Sequence, residues 1–520
     1  MDGESLFDRL YLPARAARVA VLSEHAEITY EELRDRTIGA AEALNALDIR
    51  AGERVGLMLS DSPEFIASFV AIISLGAIAV PINLALRRAD QLFILKDCGA
   101  SAAIIEAKAA ENLFQADEIQ TDLKNLLVVS RDRGSVAASI AGLDAQAFDR
   151  AKRAPLGDVF PVRGSEDADA FILYTSGSTG EPKGAVHRQA DIFYTNETFC
   201  SEVLQLRQDD RLFSSSRLPF AYGLGNSFTF PLLNGFTTIL CREKPAPEVV
   251  SRVFGEYRPT IFFGVPLVYR MLLEHHRSGN ELDASSLRLC VSAGEALPAQ
   301  LGEDWQTTFG VEVLDGIGST EMLHMFISNH EGAVRYGSSG RLLCGYEARL
   351  IDHEGTPTLS GEAGNLWIRG NSAALRYWQR PETTSETFVE GWVRTGDLYA
   401  RDGDGFWWHQ GRSDDCFKPT GQWVSPVEVE NVLLRHEAVR AAAVVEGFDE
   451  HELSCVCAFI VIDGETDAVE PKLRALCEKA LPRFKQPRRY LFVSELPYTA
   501  TGKVQRFKLR VQLRGSEFNL

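Results

Sequence analysis

The chain has no pair of cysteines at a spacing that suits a metal or a disulfide framework. Its nine cysteines are scattered, and only Cys455 and Cys457 stand close together. A Cys-x-Cys on an alternating, strand-like run is poor metal spacing, and an odd total argues against a complete intrachain disulfide set. The pattern is that of buried free thiols in a reducing cytosol, so the expected location is cytoplasmic. Positive charge is also short. Lys and Arg number 54 against 72 Asp and Glu, a formal net charge of -18. That balance argues against nucleic acid or an anionic membrane surface as the main partner. The opening MDGESLFDRL is acidic and lacks the apolar core of a signal peptide. No obvious repeat or low-complexity tract interrupts the chain. Residues 65–86 lack charge altogether and are long enough to span a bilayer. Gly76, Pro81 and Asn83 break that run. It therefore reads as a buried helix over 64–75, a turn, and a short buried strand over 77–82.

What the chain does have is alternation. Its 520 residues exceed one ordinary domain, and 45% apolar content is enough for a sizeable core. Helical and strand-like segments alternate throughout, which predicts an α/β fold of layered sheets and helices. Residues 31–47 carry an amphipathic helical pattern with Thr29 as N-cap. Strand-like runs fall at 55–59, 102–105, 125–129 and 237–240, and a turn followed by a strand at 361–370. The expected domain boundary follows Gly411 and Arg412. Residues 406–410 are strand-like, whereas 413–415 are polar and turn-prone. Beyond them a helix restarts over 425–434 with Pro426 near its first turn. Strands are expected at 441–445 and 456–462 and a helix at 469–481. The division is thus a large multi-layer domain over 1–413 and a small α+β domain over 414–520.

The most informative stretch is YTSGSTGEPKG, residues 174–184. Glycines there let backbone N–H groups approach phosphate oxygens. Thr175, Ser176, Ser178 and Thr179 add hydroxyls, and Lys183 adds a positive charge. A Gly/Ser-rich run can equally be a linker. Here the apolar run 170–174 leads into it as a buried strand, the usual mount for a phosphate cradle. It is not a Walker loop, because Lys183 follows a proline and precedes Gly184. Further patches follow. In RLPFAYGLGN, residues 217–226, Phe220 and Tyr222 can wall a flat pocket, with Ala221, Gly223 and Gly225 leaving space between the walls. An ordinary buried turn is the alternative. SAGEALP, 292–298, follows an apolar run, and backbone at such a strand end can clamp a purine. DGIGSTE, 315–321, follows another. Thr320 can donate to phosphate and Glu321 can hold Mg²⁺ against phosphate oxygens. A Thr-Glu pair alone is more often a helix N-cap. In isolation Asp397 reads as a turn residue and Lys503 as a solvated lysine.

In this order and spacing the patches resemble the adenylate-forming superfamily of acyl-CoA synthetases, luciferases and peptide-synthetase adenylation domains. The resemblance covers nearly the whole chain. FAYGLGN at 220–226, SAGEALP, DGIGSTEMLH at 315–324 and TATGKVQRFKLR at 499–510 look like benzoate–CoA ligases and related aryl-CoA ligases. That resemblance implies an AMP-forming acid–thiol ligase. An aryl carboxylate, namely benzoate or a small hydroxy- or amino-benzoate such as anthranilate, attacks the α-phosphate of ATP. An acyl-adenylate and pyrophosphate result, and the CoA thiol then displaces AMP. ATP, CoA and Mg²⁺ are therefore expected.

The resemblance also implies roles. Lys503, Thr320 and Glu321 are catalytic, with Glu321 the metal ligand. Thr175, Ser176, Gly177, Ser178, Thr179, Gly180 and Lys183 hold phosphates. Gly294, Glu295, Ala296, Asp315, Gly316 and Ile317 bind ATP or AMP, as do Thr320, Asp397 at the ribose and Arg412. Phe220, Ala221, Tyr222, Gly223, Ile317 and His324 line the acid pocket, although His324 can equally be a satisfied structural histidine. Asp414 is the hinge of a mobile small domain, whose rotation brings Lys418 and Gly421 to CoA. There are departures: Pro419 follows Lys418, Tyr498 stands where a lysine is common, and LLCG at 342–345 replaces a proline-rich turn. Rival readings are an adenylation enzyme that loads a carrier protein, a catalytically silent nucleotide-binding relative and, remotely, a luciferase-type oxygenase. A monomer or homodimer is expected.

Overall fold

Thr29 caps the helix Tyr30–Ala46: its hydroxyl accepts the Glu32 amide, and the Glu32 carboxylate accepts the Thr29 amide. The computed structural model describes residues 5–24, 26–115, 121–130, 139–157, 160–162, 168–176, 181–352, 354–417, 419, 422, 424–449, 453–498 and 504–516. Strands Arg54–Met58, Ala102–Glu106, Asn125–Val129 and Thr237–Leu240 fall on the four runs expected from the sequence. The α/β class holds, with helices between and around several sheets.

One nine-stranded sheet runs, edge to edge, Arg341–Leu342, Met325–Ser328, Val313–Gly318, Leu289–Ser292, Ile261–Gly264, Arg211–Ser214, Thr237–Leu240, Val19–Ser23 and Ala26–Thr29. Neighbours from Val313–Gly318 to Val19–Ser23 pair in parallel. Chain order changes direction at Arg211–Ser214, whose neighbours are Thr237–Leu240 on one side and Ile261–Gly264 on the other. Ligands of α/β sheets bind outside the carboxyl ends of strands at such a switch point.

A second nine-stranded sheet holds the parallel strands Phe171–Ser176, Ile78–Pro81, Arg54–Met58, Ala102–Glu106, Asn125–Val129 and Leu143–Ala147. Towards one edge it turns antiparallel, through Pro182–His187 and Arg376–Tyr377. The two sheets share one core, and helix Pro63–Ser74 lies inside it. All of its residues but Glu64 are buried. The Phe69 ring packs 5.5 Å from Phe171 of the second sheet and 5.6 Å from Phe228. The uncharged run is apolar because protein surrounds it. Among the described residues, no helix is long and apolar enough to cross a membrane.

A third sheet contains Glu347–Ile351, Gly364–Arg369 and Trp392–Arg401, the last paired with Trp407–Arg412. Past residue 413 come helix Pro426–Leu433, strands Val439–Phe448 and Ser454–Ile462, helix Thr466–Ala480 and strand Arg489–Phe492. They form a three-stranded sheet with an apolar cluster on each face. Helix Arg506–Ser516 covers one face through Leu509 and Leu513. The sequence pattern did not announce that helix, because its hydrophobic contacts are few and widely spaced. All nine cysteines are free and seven are buried, whereas Cys344 is exposed and Cys416 partly so. Those two lie in connections rather than in core strands, so the buried-thiol expectation fails there.

Truncating the central ring should be expensive. Phe69→Ala is expected to remove about 3–5 kcal/mol of stability. Thermal unfolding checks it, and an unchanged midpoint would disprove the shared-core assignment.

Candidate active site

The stretch 174–184 is a tight hairpin and not one long loop. Thr175 and Ser176 finish strand Phe171–Ser176, and Lys183 lies in strand Pro182–His187, directly opposite Thr175. Antiparallel pairing of Ser176 with Pro182 leaves five residues between the strands. Of the expected phosphate contacts, Gly177, Ser178, Thr179 and Gly180 lie outside the described residues. Lys183 shares a sheet face with Ala185, the cross-strand partner of Tyr377. Its ammonium accordingly sits 5.8 Å from the centre of the Tyr377 ring.

Tyr377 and His187 tie this hairpin to the first sheet. Strand Val313–Gly318 carries Asp315, Gly316 and Ile317 and is followed by a short turn, Thr320–Met322. Ser319 caps that turn by accepting the Met322 amide, so Thr320 and Glu321 are not spent on capping. The Tyr377 hydroxyl donates to Glu321 Oε1 at 2.6 Å. His187 is fully buried, and its Nε2 donates to the Thr320 carbonyl at 2.8 Å. Its Nδ1 lies 2.9 Å from Asp191, which also pairs with Arg188 at 2.7 Å. A carbonyl only accepts, so the proton on Nε2 follows from the geometry. Sequence reading missed both residues. A faint signal exists for His187, which precedes Asp191 by four positions at a helix start. Tyr377 lies 56 residues from Glu321, and nothing local marks it.

Outside the carboxyl ends of the same sheet lie the pocket candidates. Phe220 precedes the short helix Ala221–Leu224. The Tyr222 hydroxyl donates to the Val291 carbonyl at 3.1 Å, which fastens the ring to strand Leu289–Ser292. Leu218 and Arg217, just upstream, are held by Asp61, which follows strand Arg54–Met58 of the second sheet. His324 is buried among Tyr222, Phe199 and Phe230, with ring centroids at 5.6, 4.6 and 4.6 Å. Its Nε2 donates to Asn226 Oδ1 at 3.1 Å. Burial pushes the imidazole down to about 3, against a weaker opposing pull from the Tyr222 backbone. Asn226 Nδ2 and His324 Nδ1 have no hydrogen-bond partner among the described residues. The glycines do not leave open space here. A Cβ on Gly223 would lie 2.1 Å from the Arg217 carbonyl oxygen, and one on Gly225 would lie 2.6 Å from the His324 ring. They are glycines because backbone and imidazole press against them. Ile317 is half-buried at the rim.

Asp315 is buried, and burial raises its carboxyl well above the usual range. Its Oδ1 has no hydrogen-bond partner among the described residues. It stands opposite Ser292, from which the loop of Gly294, Glu295 and Ala296 departs. Asp397 pairs in register with Arg412 across two strands of the third sheet, with Oδ1 and Nη1 3.3 Å apart. That neighbour raises the Arg412 guanidinium further. Asp414 follows in a turn. Ser413 before it is tied to the Gly396 carbonyl, and Asp415 after it is held by Arg506 and Arg510. Lys418, Gly421 and Lys503 lie outside the described residues. Their flanks are described: Phe417 bridges Val424, and Tyr498 bridges Val504.

Strand ends from both large sheets, the hairpin that carries Lys183 and a cluster of rings around His324 thus come together, at the kind of place where open α/β sheets bind ligands. The chain belongs to the AMP-binding enzyme family: that family's model matches residues 12–378, and the model of its C-terminal domain matches residues 428–503. Benzoate–CoA ligase of Thauera aromatica is 39% identical over 98% of this chain and 95% of its own. The solved anthranilate CoA ligase AuaEII, in complex with anthranoyl-AMP, is 37% identical with a TM-score of 0.91, covering 99% of this chain and 98% of its own. A benzoate CoA ligase from Burkholderia xenovorans is 37% identical with a TM-score of 0.85, covering 97% and 98%.

The environment of His324 makes a spectroscopic prediction. Its ring should stay neutral from about pH 8 to about pH 5, where an ordinary histidine gains a proton. Imidazole NMR signals, assigned by their loss in His324→Gln, check this, and a midpoint near 6.5 would refute it.

Proposed function

We propose that this chain is an AMP-forming ligase that joins an aryl carboxylate to CoA through an aryl-adenylate. The observation that carries the aryl reading is the box of Tyr222, Phe199 and Phe230 around an imidazole that burial keeps neutral. Rings favour a flat apolar partner, and an uncharged histidine offers hydrogen bonds without attracting a second ionised group. Benzoate and small hydroxy- or amino-benzoates have that character.

A carboxylate is a poor acyl donor because oxide is a poor leaving group, and adenylation makes AMP the leaving group. One carboxylate oxygen attacks the α-phosphorus, and pyrophosphate departs. Lys183 and the hairpin hydroxyls hold the outer phosphates, and Thr320 donates to phosphate from a turn that His187 pins. Asp397 accepts ribose hydroxyls beside Arg412, and Asp315 with the loop after Ser292 takes the base. The Lys503 ammonium offsets charge that builds during the transfer. Glu321 would hold Mg²⁺: Tyr377 fixes one carboxylate oxygen, and a single carboxylate beside nucleotide phosphates is the usual protein share of such a site. Bound there, the ion would neutralise phosphate charge. In the second half-reaction the CoA thiol attacks the acyl carbon, AMP leaves, and the thiol proton is lost.

The domains divide at 1–413 and 414–520. Asp414 suits a hinge because the residues before and after it are tied to different bodies. Turning about it exchanges the Lys503 turn for the loop of Lys418 and Gly421, which would border the CoA path. The free thiols suit a reducing, cytoplasmic setting.

The deciding experiment supplies ATP, Mg²⁺ and CoA with benzoate, its hydroxy and amino forms, cyclohexanecarboxylate and a medium-chain fatty acid. AMP, pyrophosphate and an aryl thioester should appear in equal amounts. ADP with orthophosphate, a preference for the fatty acid, or an adenylate that never reaches CoA would each reject the reading. Lys503→Ala should lower adenylation by about 10²–10³-fold yet still convert supplied aryl-adenylate to thioester. Near-normal adenylation by that variant would remove Lys503 from the mechanism.

A further inference from the structure

We propose that Glu295 is a positioning residue for the first half-reaction, a latch that accepts the Val504 amide and so holds the small body against the nucleotide side of the large one. This inference rests on the ligase reading.

Tyr498 and Val504 pair in an isolated antiparallel bridge. The amide of Val504, the residue next to Lys503, donates to Glu295 Oε1 at 3.2 Å across 209 positions of sequence. Glu295 stands in the loop that follows strand Leu289–Ser292, beside the strand end where Asp315 lies. The contact therefore joins the small body to the nucleotide side of the large one.

The surroundings repeat the pairing of opposite charges. The field of Glu295 also reaches Arg506, two residues beyond Val504. Arg506 is itself fixed inside the small body by both oxygens of Glu430 at 2.9 Å. On the large body, helix Pro266–Arg277 contributes Glu274, whose charge acts on Arg440 of strand Val439–Phe448. Acids of the large side thus face bases of the small side, although Arg270 on the same helix adds a large-side cation in the fields of Glu274, Glu295 and Tyr498, and Arg440 pairs first with Asp463 of its own body. Such complementarity fixes orientation more than it adds affinity. Rotation about Asp414 would carry Val504 and Arg440 away from these partners together. A hydrogen bond to a carboxylate shifts such a balance by about tenfold, strong enough to favour one orientation and weak enough to release it.

The two half-reactions separate the latch from a nucleotide contact. Glu295→Ala should slow adenylate formation by about tenfold and slow thioester formation from supplied aryl-adenylate much less, whereas loss of a contact to the adenosine, which both substrates carry, would slow the two alike. Glu295→Gln keeps an acceptor for the Val504 amide and should recover most of the loss. Glu274→Lys should act in the same direction without raising the KM for ATP. In ligand-free enzyme, hydrogen exchange of peptides spanning 496–510 should quicken in Glu295→Ala, while strand Ser454–Ile462 stays unchanged. Equal losses in both half-reactions, or unchanged exchange at 496–510, would overturn the proposal. A wild-type enzyme that forms no adenylate from any aromatic acid would reject the ligase reading instead, and the exchange comparison would still decide the latch.

Discussion

A hydrogen bond from His187 Nε2 to the Thr320 carbonyl joins the two large sheets where their strand ends meet. His187 belongs to the hairpin of the second sheet, and Thr320 follows a strand of the first. The imidazole is fully buried and the bond partly so, so breaking it would leave a ring nitrogen without water to replace the partner. Asp191 sets the ring from its other nitrogen, and the Phe171 ring stacks on it at 5.2 Å. Tyr377 adds a second tie through Glu321. Strand Pro182–His187 and the Thr320–Glu321 turn are consequently held together, although about 130 residues of chain separate them. Helix Pro63–Ser74 fills the core between the same sheets and keeps their spacing from collapsing.

From that fixed point the site grades in polarity. At the hairpin and third-sheet end stand Lys183, Arg412, Asp397 and Glu321, in charge contact or close to it. At the recess end burial works the other way. It holds the His324 imidazole neutral and drives the Asp315 carboxyl towards its protonated form. Reactions that move charge onto phosphate benefit from such an arrangement, since the dipoles and charges are in place beforehand.

The small body is joined to this frame by contacts of a different kind. They are mostly polar: the Val504 amide on Glu295, the Ser425 hydroxyl on the Gln410 carbonyl, Tyr498 beside Arg270, and Arg440 in the field of Glu274. The large body is instead welded by shared apolar cores. The apolar clusters of the small sheet do not include residues of the large sheets. Apolar burial is non-directional and slow to undo, whereas a handful of polar contacts can be exchanged for another set.

Much of this was legible without a structure. Periodicity located helix Tyr30–Ala46 with its cap, helix Pro63–Ser74, and strands such as Asn125–Val129 and Thr237–Leu240, because each buries one face or all of itself over contiguous residues. The motif strings pointed to Asp315, Glu321, Asp397 and Arg412, since small residues and isolated charges beside apolar runs are local features. What stayed hidden were relations between distant segments. Nothing in the sequence says that Tyr377 meets Glu321, that His187 supports Thr320, or that Asp61 anchors the loop before Phe220. The glycines at 223 and 225 were visible, yet whether they opened a pocket or admitted a carbonyl and an imidazole depended on what packed against them. Composition and pattern therefore determined the elements and the reactive groups, because both are set by neighbours along the chain. Only tertiary packing decided which groups face each other and which of them carry charge, because distance and desolvation are properties of the folded volume.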